Sequence, residues 1–426
     1  MKKIKSLDIV VIGFALFSMY FGAGNVVFPP FLGFQSGVEW VKGFAAYYFA
    51  DVVLAIVAIF AILRDGNSEM VLNRIGKNIS EVIMSAVVLC IGPMLAIPRT
   101  AATTYELGIS NLIPWMPSWV FAAIFFAVVL LLTIRESAVI DILGEILTPI
   151  LLLGLFALII VGIINPLGTI ESEPIIENVT ESGIQSGYQT MDVLASLVFG
   201  MIIIKSALDK GYDDGKTRFF VLIRASILAG ILLLLVYFGL AYLGATVSGA
   251  FDATIGRSDL VIQIVVKLLG QKGMILFAVV VSAACLTTAI GLTSCAAEHF
   301  SRLSNGRISY KMLIIIICIF SAAVSNFGLD FIVSVAAPIL DLVYPIVLVL
   351  IIISIVFPKL PKKVCVYATV GAFLTSVLNI ISTYGKKIAL IDNIPLANLG
   401  MNWIIPSAIF GVFGYMMYRI SAAKKE

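Results

Sequence analysis

Apolar residues in this chain come in runs rather than alternations, and the runs recur from end to end. Each is about 20 residues long, the length that carries an α-helix across a bilayer. Twelve are read, at roughly 8–34, 39–63, 80–107, 118–134, 141–164, 190–208, 218–246, 273–300, 309–327, 330–357, 364–382 and 401–419. The stretch from Ser258 to Leu269 is apolar at Leu260, Ile264 and Leu268, a pattern for a helix lying on the membrane surface. The outer loop at roughly 165–189 and the inner loop at roughly 64–79 are too short to bury cores of their own. Function is therefore expected inside the membrane, in one transmembrane domain spanning residues 1–426.

Composition sharpens this reading. The chain has 426 residues, 61% hydrophobic and 12% charged, with a mean hydropathy of +1.09. A soluble domain carries about 25% charged residues. The net charge of +3 gives no argument for a nucleic-acid partner, and no obligate protein partner is evident. Charge placement says more. With the N-terminus inside, 20 Lys and Arg fall in cytoplasmic loops and tails, five fall outside, and Lys42, Arg99 and Arg224 lie within spans. This bias places both termini in the cytoplasm of a multi-pass protein embedded in lipid, and an even number of spans follows. The five cysteines all fall in apolar segments without a CxxC pair and read as small buried hydrophobes. No small-residue cleavage site follows "MKKIK", so the first span is expected to be retained.

That first span is unusual. "FSMYFGAGNVVFPPFLGF" (17–34) places Gly22, Gly24, polar Asn25 and the pair Pro29–Pro30 inside a crossing segment. An unsatisfied backbone group costs several kcal/mol in the bilayer core, so irregular backbone persists there only where it lines a cavity or binds something. A break at "GAG" would leave free N–H groups that attract a carboxylate and free carbonyls that attract a cation. The competing reading is a close-packed, kinked helix.

An inverted-repeat transporter requires a second broken helix five spans later. The sixth run, "GYQTMDVLASLVFGMIII", has Ser196 and Gly200 near its centre and Asp192 toward its outer end. The eighth run, "SAACLTTAIGLTSCAAEHF", carries adjacent hydroxyls at Thr287 and Thr288 among small residues. Oxygen ligands suit a hard monovalent cation, whereas a lone Thr in a span commonly bonds back to its own preceding turn.

"FGAGNVVFPPFLG", "IGPMLAIPRTAATTYE", "GYQTMDVLASLVFGMII" and "CLTTAIGLTS" resemble the bacterial branched-chain amino acid carriers, the leucine–isoleucine–valine/cation symporters of the amino acid–polyamine–organocation superfamily. The resemblance covers essentially the whole chain. It implies an all-α polytopic protein of about 12 transmembrane helices with the leucine/sodium symporter-like fold. In that fold two inverted five-helix repeats, at 8–164 and 190–357, are followed by two further helices at 364–419. It also implies import of leucine, isoleucine and valine across the bacterial cytoplasmic membrane, driven by Na+ or, alternatively, H+, with no cofactor. Another neutral amino acid of the same superfamily is the alternative substrate. Matched position by position, Gly22, Ala23, Gly24 and Asn25 form the break, with the Ala23 and Gly24 amides holding the substrate carboxylate. Ser196, Val198, Phe199 and Gly200 line the substrate from the sixth helix. The carbonyls of Ser18, Phe21 and Ala284 and the hydroxyls of Thr287 and Thr288 form a sodium site. Leu194 stands where two-sodium symporters have a threonine, so one cation is expected, not two.

Charged residues inside spans are functional candidates. Arg99 reads equally as a neutraliser of Asp51 or Asp192 and as a gate, and Glu106 lies too far along the same helix to pair with it. Asp341 reads equally as a proton relay and as a packing group, and His299 as an interfacial residue. A membrane-embedded enzyme is disfavoured by the single histidine and by the lack of HExxH or paired intramembrane aspartates. No repeated ring of charges points to a channel.

Overall fold

A computed structural model describes residues 4–134, 148–388, 391 and 393–423. The beginning of the fifth run, with Lys2, Lys3, Arg135, Lys424 and Lys425, lies outside the described residues. The described residues are helical with no strand. Eight helices among them are long and apolar enough to cross a membrane, and four shorter apolar helices of 10–17 residues accompany these. Each of the twelve runs finds a helix. The agreement is close at Ser118–Thr133, Gly215–Ala245, Tyr310–Ser325, Leu329–Val356 and Lys362–Tyr384.

The first run is two helices. Ser6–Tyr20 ends at Phe21 (φ −72°, ψ 85°), Gly22 is extended (φ −120°, ψ −161°), and Ala23–Ser36 resumes the spiral. The kinked-helix alternative is thereby set aside, because the backbone leaves the helix altogether. Pro29 and Pro30 sit inside the second half rather than at the break.

Three features depart from the sequence reading. The sixth helix breaks at Met191 (φ 70°, ψ 13°), not near Ser196 or Gly200. Its first half, Val179–Thr190, occupies what the sequence reads as an outer loop. The polar stretch "TESGIQSGYQT" tolerates this because it packs on the second helix instead of lipid: a Cβ at Gly183 would lie 2.4 Å from the Gly43 carbonyl oxygen. The third run also breaks, between Lys77–Leu89 and Ala96–Thr104, at Gly92 (φ −97°, ψ −130°) next to Pro93. The second run continues from Trp40–Tyr48 to Leu54–Asp65 through a widened turn at Phe49–Val53, which holds Asp51 fully buried.

The amphipathic segment is a helix, as expected, with Leu260, Val261, Ile264 and Val265 buried. It is separated from the eighth span by Gly270 in a left-handed conformation (φ 65°). Backbones approach most closely between the second half of the first helix and the seventh helix. A Cβ at Gly33 would lie 1.9 Å from the Ala241 carbonyl oxygen, and one at Gly244 would lie 1.8 Å from that of Pro30. Only glycine permits this interlock at those two positions.

Candidate functional site

The breaks in the first and sixth helices meet at a central cavity walled also by the third and eighth helices. In the first helix the last ladder bond of the outgoing half is Phe21 N–H to Phe17 O at 2.8 Å, and the first of the next half is Val26 N–H to Gly22 O at 3.4 Å. The carbonyls of Ser18 to Phe21 and the amides of Gly22 to Asn25 therefore lie between the two ladders, as helix ends require. These are the backbone groups that the resemblance assigns to cation and carboxylate.

Across the cavity, Met191 interrupts the sixth helix in the left-handed region, a conformation that costs a non-glycine residue roughly 1–3 kcal/mol and collects at functional sites. The carbonyls that the break releases are capped by Arg99 from the third helix, whose Nη1 donates to Gln189 O (2.5 Å) and Nη2 to Thr190 O (3.1 Å). Arg99 also lies over the Phe28 ring at 5.8 Å. Asp192 opens the second half of the sixth helix, and its Oδ2 accepts from Asn25 Nδ2 at 2.9 Å. Asp51 Oδ1 accepts from the Thr190 hydroxyl at 2.7 Å. Asp51 and Asp192 thus flank the sixth-helix break, one held by Thr190 and the other by Asn25. The sequence reading finds no paired intramembrane aspartates, and the fold brings Asp51 of the second helix and Asp192 of the sixth to one break.

Ser196 is buried and bonded to the Tyr20 hydroxyl (2.6 Å) and to Asp192 O (2.7 Å), which ties the first and sixth helices together beside the cavity. Phe199 lines the cavity and meets the Tyr20 ring edge-on at 5.5 Å. Gly22, Ala23 and Asn25 line it too, while Gly24 adjoins it through Arg99. Two of the expected lining residues are elsewhere. Val198 faces a second cavity of about 320 Å³ with Met84, Lys205, His299 and Arg302. Gly200 packs on the second helix, where a Cβ would lie 2.8 Å from Ile62 Cδ1. Helical spacing explains Val198, which lies on the face opposite Ser196, whereas Gly200 shares the Ser196 face but sits one turn further from the break, against Ile62.

At the candidate cation site, Thr288 Oγ1 lies 3.1 Å from where a Gly22 Cβ would be, so the eighth helix reaches the break. Ser18 is buried and its Oγ has no hydrogen-bond partner. Both threonines bond back to Ala284 O, at 2.7 Å from Thr287 and 3.1 Å from Thr288. A hydroxyl that donates its one proton keeps both lone pairs for a cation. The donor set is oxygen throughout, which fits a hard monovalent ion. The Ala284 carbonyl is already engaged by two hydroxyls, which weakens it as a ligand.

The remaining candidates lie away from the cavity. Glu106 accepts from Leu329 N (2.8 Å) and Ser258 Oγ (2.6 Å), joining three helices instead of pairing with Arg99. His299 Nε2 contacts Ser85 Oγ at 3.1 Å. Asp341 is on the tenth helix one turn before Tyr344, which stacks on Tyr188 at 4.5 Å.

The central cavity encloses about 20 Å³, room for about one water. Admitting anything larger requires the surrounding helices to move apart. Facing helix breaks that present backbone amides and oxygen donors to one cavity suit a bound solute.

Comparison with known proteins agrees. The family model described as "Branched-chain amino acid transport protein" matches residues 5–421. The chain is 33% identical to the branched-chain amino acid permease BraB of Bacillus subtilis (strain 168), over 98% of this chain and 97% of that one. It is also 33% identical to the branched-chain amino acid transport system 2 carrier protein of Pseudomonas aeruginosa, over 100% of this chain and 99% of that one. A solved Na+-coupled sialic acid symporter superposes with a TM-score of 0.65 over 95% of this chain and 89% of its own, at 12% identity, and so shares the fold. The protein is thus a multi-pass transporter rather than an enzyme, and it belongs to the branched-chain amino acid transport protein family.

Proposed function

We propose that this chain is a secondary symporter that imports leucine, isoleucine and valine together with a monovalent cation, by alternating access. The observation that carries the reading is the pair of facing helix breaks at Gly22 and Met191 with Thr288 beside the first. The free amides of Gly22 to Asn25 suit a carboxylate, and Ser196 and Phe199 complete the substrate wall with the apolar Ile91 and Leu292. Sodium is held by the Ser18 and Phe21 carbonyls with Ala284, Thr287 and Thr288, and H+ is the alternative coupling ion. Breaks in the first and sixth helices support two repeats at 8–164 and 190–357, with 364–419 appended. The Lys and Arg bias supports cytoplasmic termini in a bacterial cytoplasmic membrane.

The test is leucine uptake into proteoliposomes under separately imposed sodium and proton gradients. Saturable uptake that needs one of the two gradients supports the reading. Flux that neither saturates nor responds to either gradient overturns it.

A further inference from the structure

Arg99 and Asp192 are the two charged residues that line the central cavity. They do not pair: among the described residues no ion pair within 4.0 Å joins them. Each is instead pinned by a neutral group. Arg99 rests on the Gln189 and Thr190 carbonyls, and Asp192 on the Asn25 amide. Both anchors belong to the same two helix breaks, so the breaks hold opposite charges apart on walls of one space. Holding buried charges unpaired is costly, and native structures keep such an arrangement where a ligand relieves it.

Both groups have capacity to spare. A guanidinium has five N–H donors, and Arg99 is 3% exposed with its Nε unpartnered. Its Nη2 comes within 3.0 Å of the Gly24 Cβ position, beside the free amides of the first helix. Asp192 is 4% exposed and its carboxylate receives one side-chain hydrogen bond, from Asn25. A carboxylate offers about four acceptor positions.

Resting on the transport reading above, we propose that Arg99 and Asp192 together recognise the zwitterionic head of the amino acid. Arg99 and the Gly22–Asn25 amides take the carboxylate, and Asp192 takes the ammonium. The ligand completes the ion pairs that the protein leaves open, and the Ile91, Phe199 and Leu292 side chains face its apolar tail. A molecule with only one of the two charges leaves a buried partner unsatisfied and is rejected.

The experiment measures competition against labelled leucine on the purified full-length protein, using 4-methylpentanoate, which lacks the amine, and 3-methylbutylamine, which lacks the carboxylate. The wild-type protein should bind leucine and disfavour both analogues. Asp192→Asn should weaken leucine by about 10- to 100-fold, as loss of a hydrogen bond to a charged group does, while narrowing the gap between leucine and 4-methylpentanoate. Arg99→Gln should narrow the gap to 3-methylbutylamine alone. Arg99→Lys, which keeps the charge without the planar fork, should weaken leucine yet still disfavour the amine, so a Gln variant that fails to fold leaves a readout in place. An unchanged ratio of leucine to 4-methylpentanoate in folded Asp192→Asn, or a leucine affinity in folded Arg99→Lys equal to that of the wild type, overturns the proposal. A wild-type protein that does not bind leucine overturns the transport reading instead.

Discussion

Replacing Gly24 by alanine should separate binding from stability. Gly24 lies in the first turn of Ala23–Ser36 with ordinary helical backbone, so a methyl group is conformationally welcome there. Alanine is favoured over glycine in a helix by up to about 1 kcal/mol. The added Cβ, however, would lie 3.0 Å from Arg99 Nη2, 3.2 Å from its Cζ and 3.0 Å from Phe28 Cε2. Ordinary contact begins near 3.4 Å, so the guanidinium must retreat by a few tenths of an ångström while both its bonds to Gln189 and Thr190 stretch. Hydrogen bonds to charged groups are worth about 1.5–3 kcal/mol each. Partial loss across the two is about 1 kcal/mol, which offsets the helix-propensity gain and leaves Tm near wild type. A guanidinium displaced from the proposed carboxylate site also loses about 1 kcal/mol of ligand contact, roughly 5-fold in leucine affinity. Leucine Kd by scintillation proximity and Tm in detergent are measured on the same preparation. The expected pair is a raised Kd with Tm unchanged or higher. An unchanged Kd refutes the placement of Arg99 beside the first break. A Tm that falls in step with affinity refutes the claim that the site, not the fold, is affected. Gly24→Leu extends the series and should abolish leucine binding in a protein that still folds.

Thr287→Ala combined with Thr288→Ala should raise the cation concentration for half-maximal leucine uptake several-fold, since two of the five proposed oxygen ligands are lost; unchanged cation dependence would remove these residues from the proposed ion site. Gly244→Ala should lower Tm markedly, because its Cβ would fall 1.8 Å from a backbone oxygen and overpacking of this kind costs about 1–3 kcal/mol or more; a neutral result would mean the helices are not interlocked. Asp65→Asn should destabilise the protein by about 1–3 kcal/mol, as it weakens the 2.8 Å pair with Arg74 and the 2.7 Å bond from Ser354; chemical or thermal unfolding of the variant checks this. The Ser354 bond fastens the end of the second helix to the tenth, and the Arg74 pair ties the loop that follows back onto the second.

The break at Phe21–Gly22 was legible because its chemistry is written locally, in two glycines, an asparagine and two prolines within ten residues. The break at Met191 was not. A non-glycine residue with positive φ leaves no trace in composition, and what holds it is Arg99, 92 positions earlier in the sequence. The first half of the sixth helix hid for a related reason: hydropathy reports contact with lipid, and Val179–Thr190 faces protein. In the third helix "IGPMLAIP" did carry a signal, a Gly–Pro step inside an apolar run, that a span-by-span reading passes over. Thr287 and Thr288 show the limit of residue type, since a hydroxyl pair on a helix can ligate an ion and bond its own preceding turn at once.

The backbone interlock of Gly33 with Ala241 and of Gly244 with Pro30 bears on how the transporter can work. Side chains slide past one another by changing rotamer, but two backbones in van der Waals register move only as one body. The second half of the first helix is therefore a passenger of the seventh helix. The first half, Ser6–Tyr20, also lies against that helix, where a Cβ at Gly13 would fall 3.0 Å from Leu228 Cδ2 and 3.1 Å from the Ala225 carbonyl oxygen. Both halves meet at the extended residue Gly22 on the cavity wall, so a movement of the seventh helix carries that wall with it. The amides proposed for the carboxylate belong to the interlocked half, and on that proposal the grip on the ligand travels with the seventh helix.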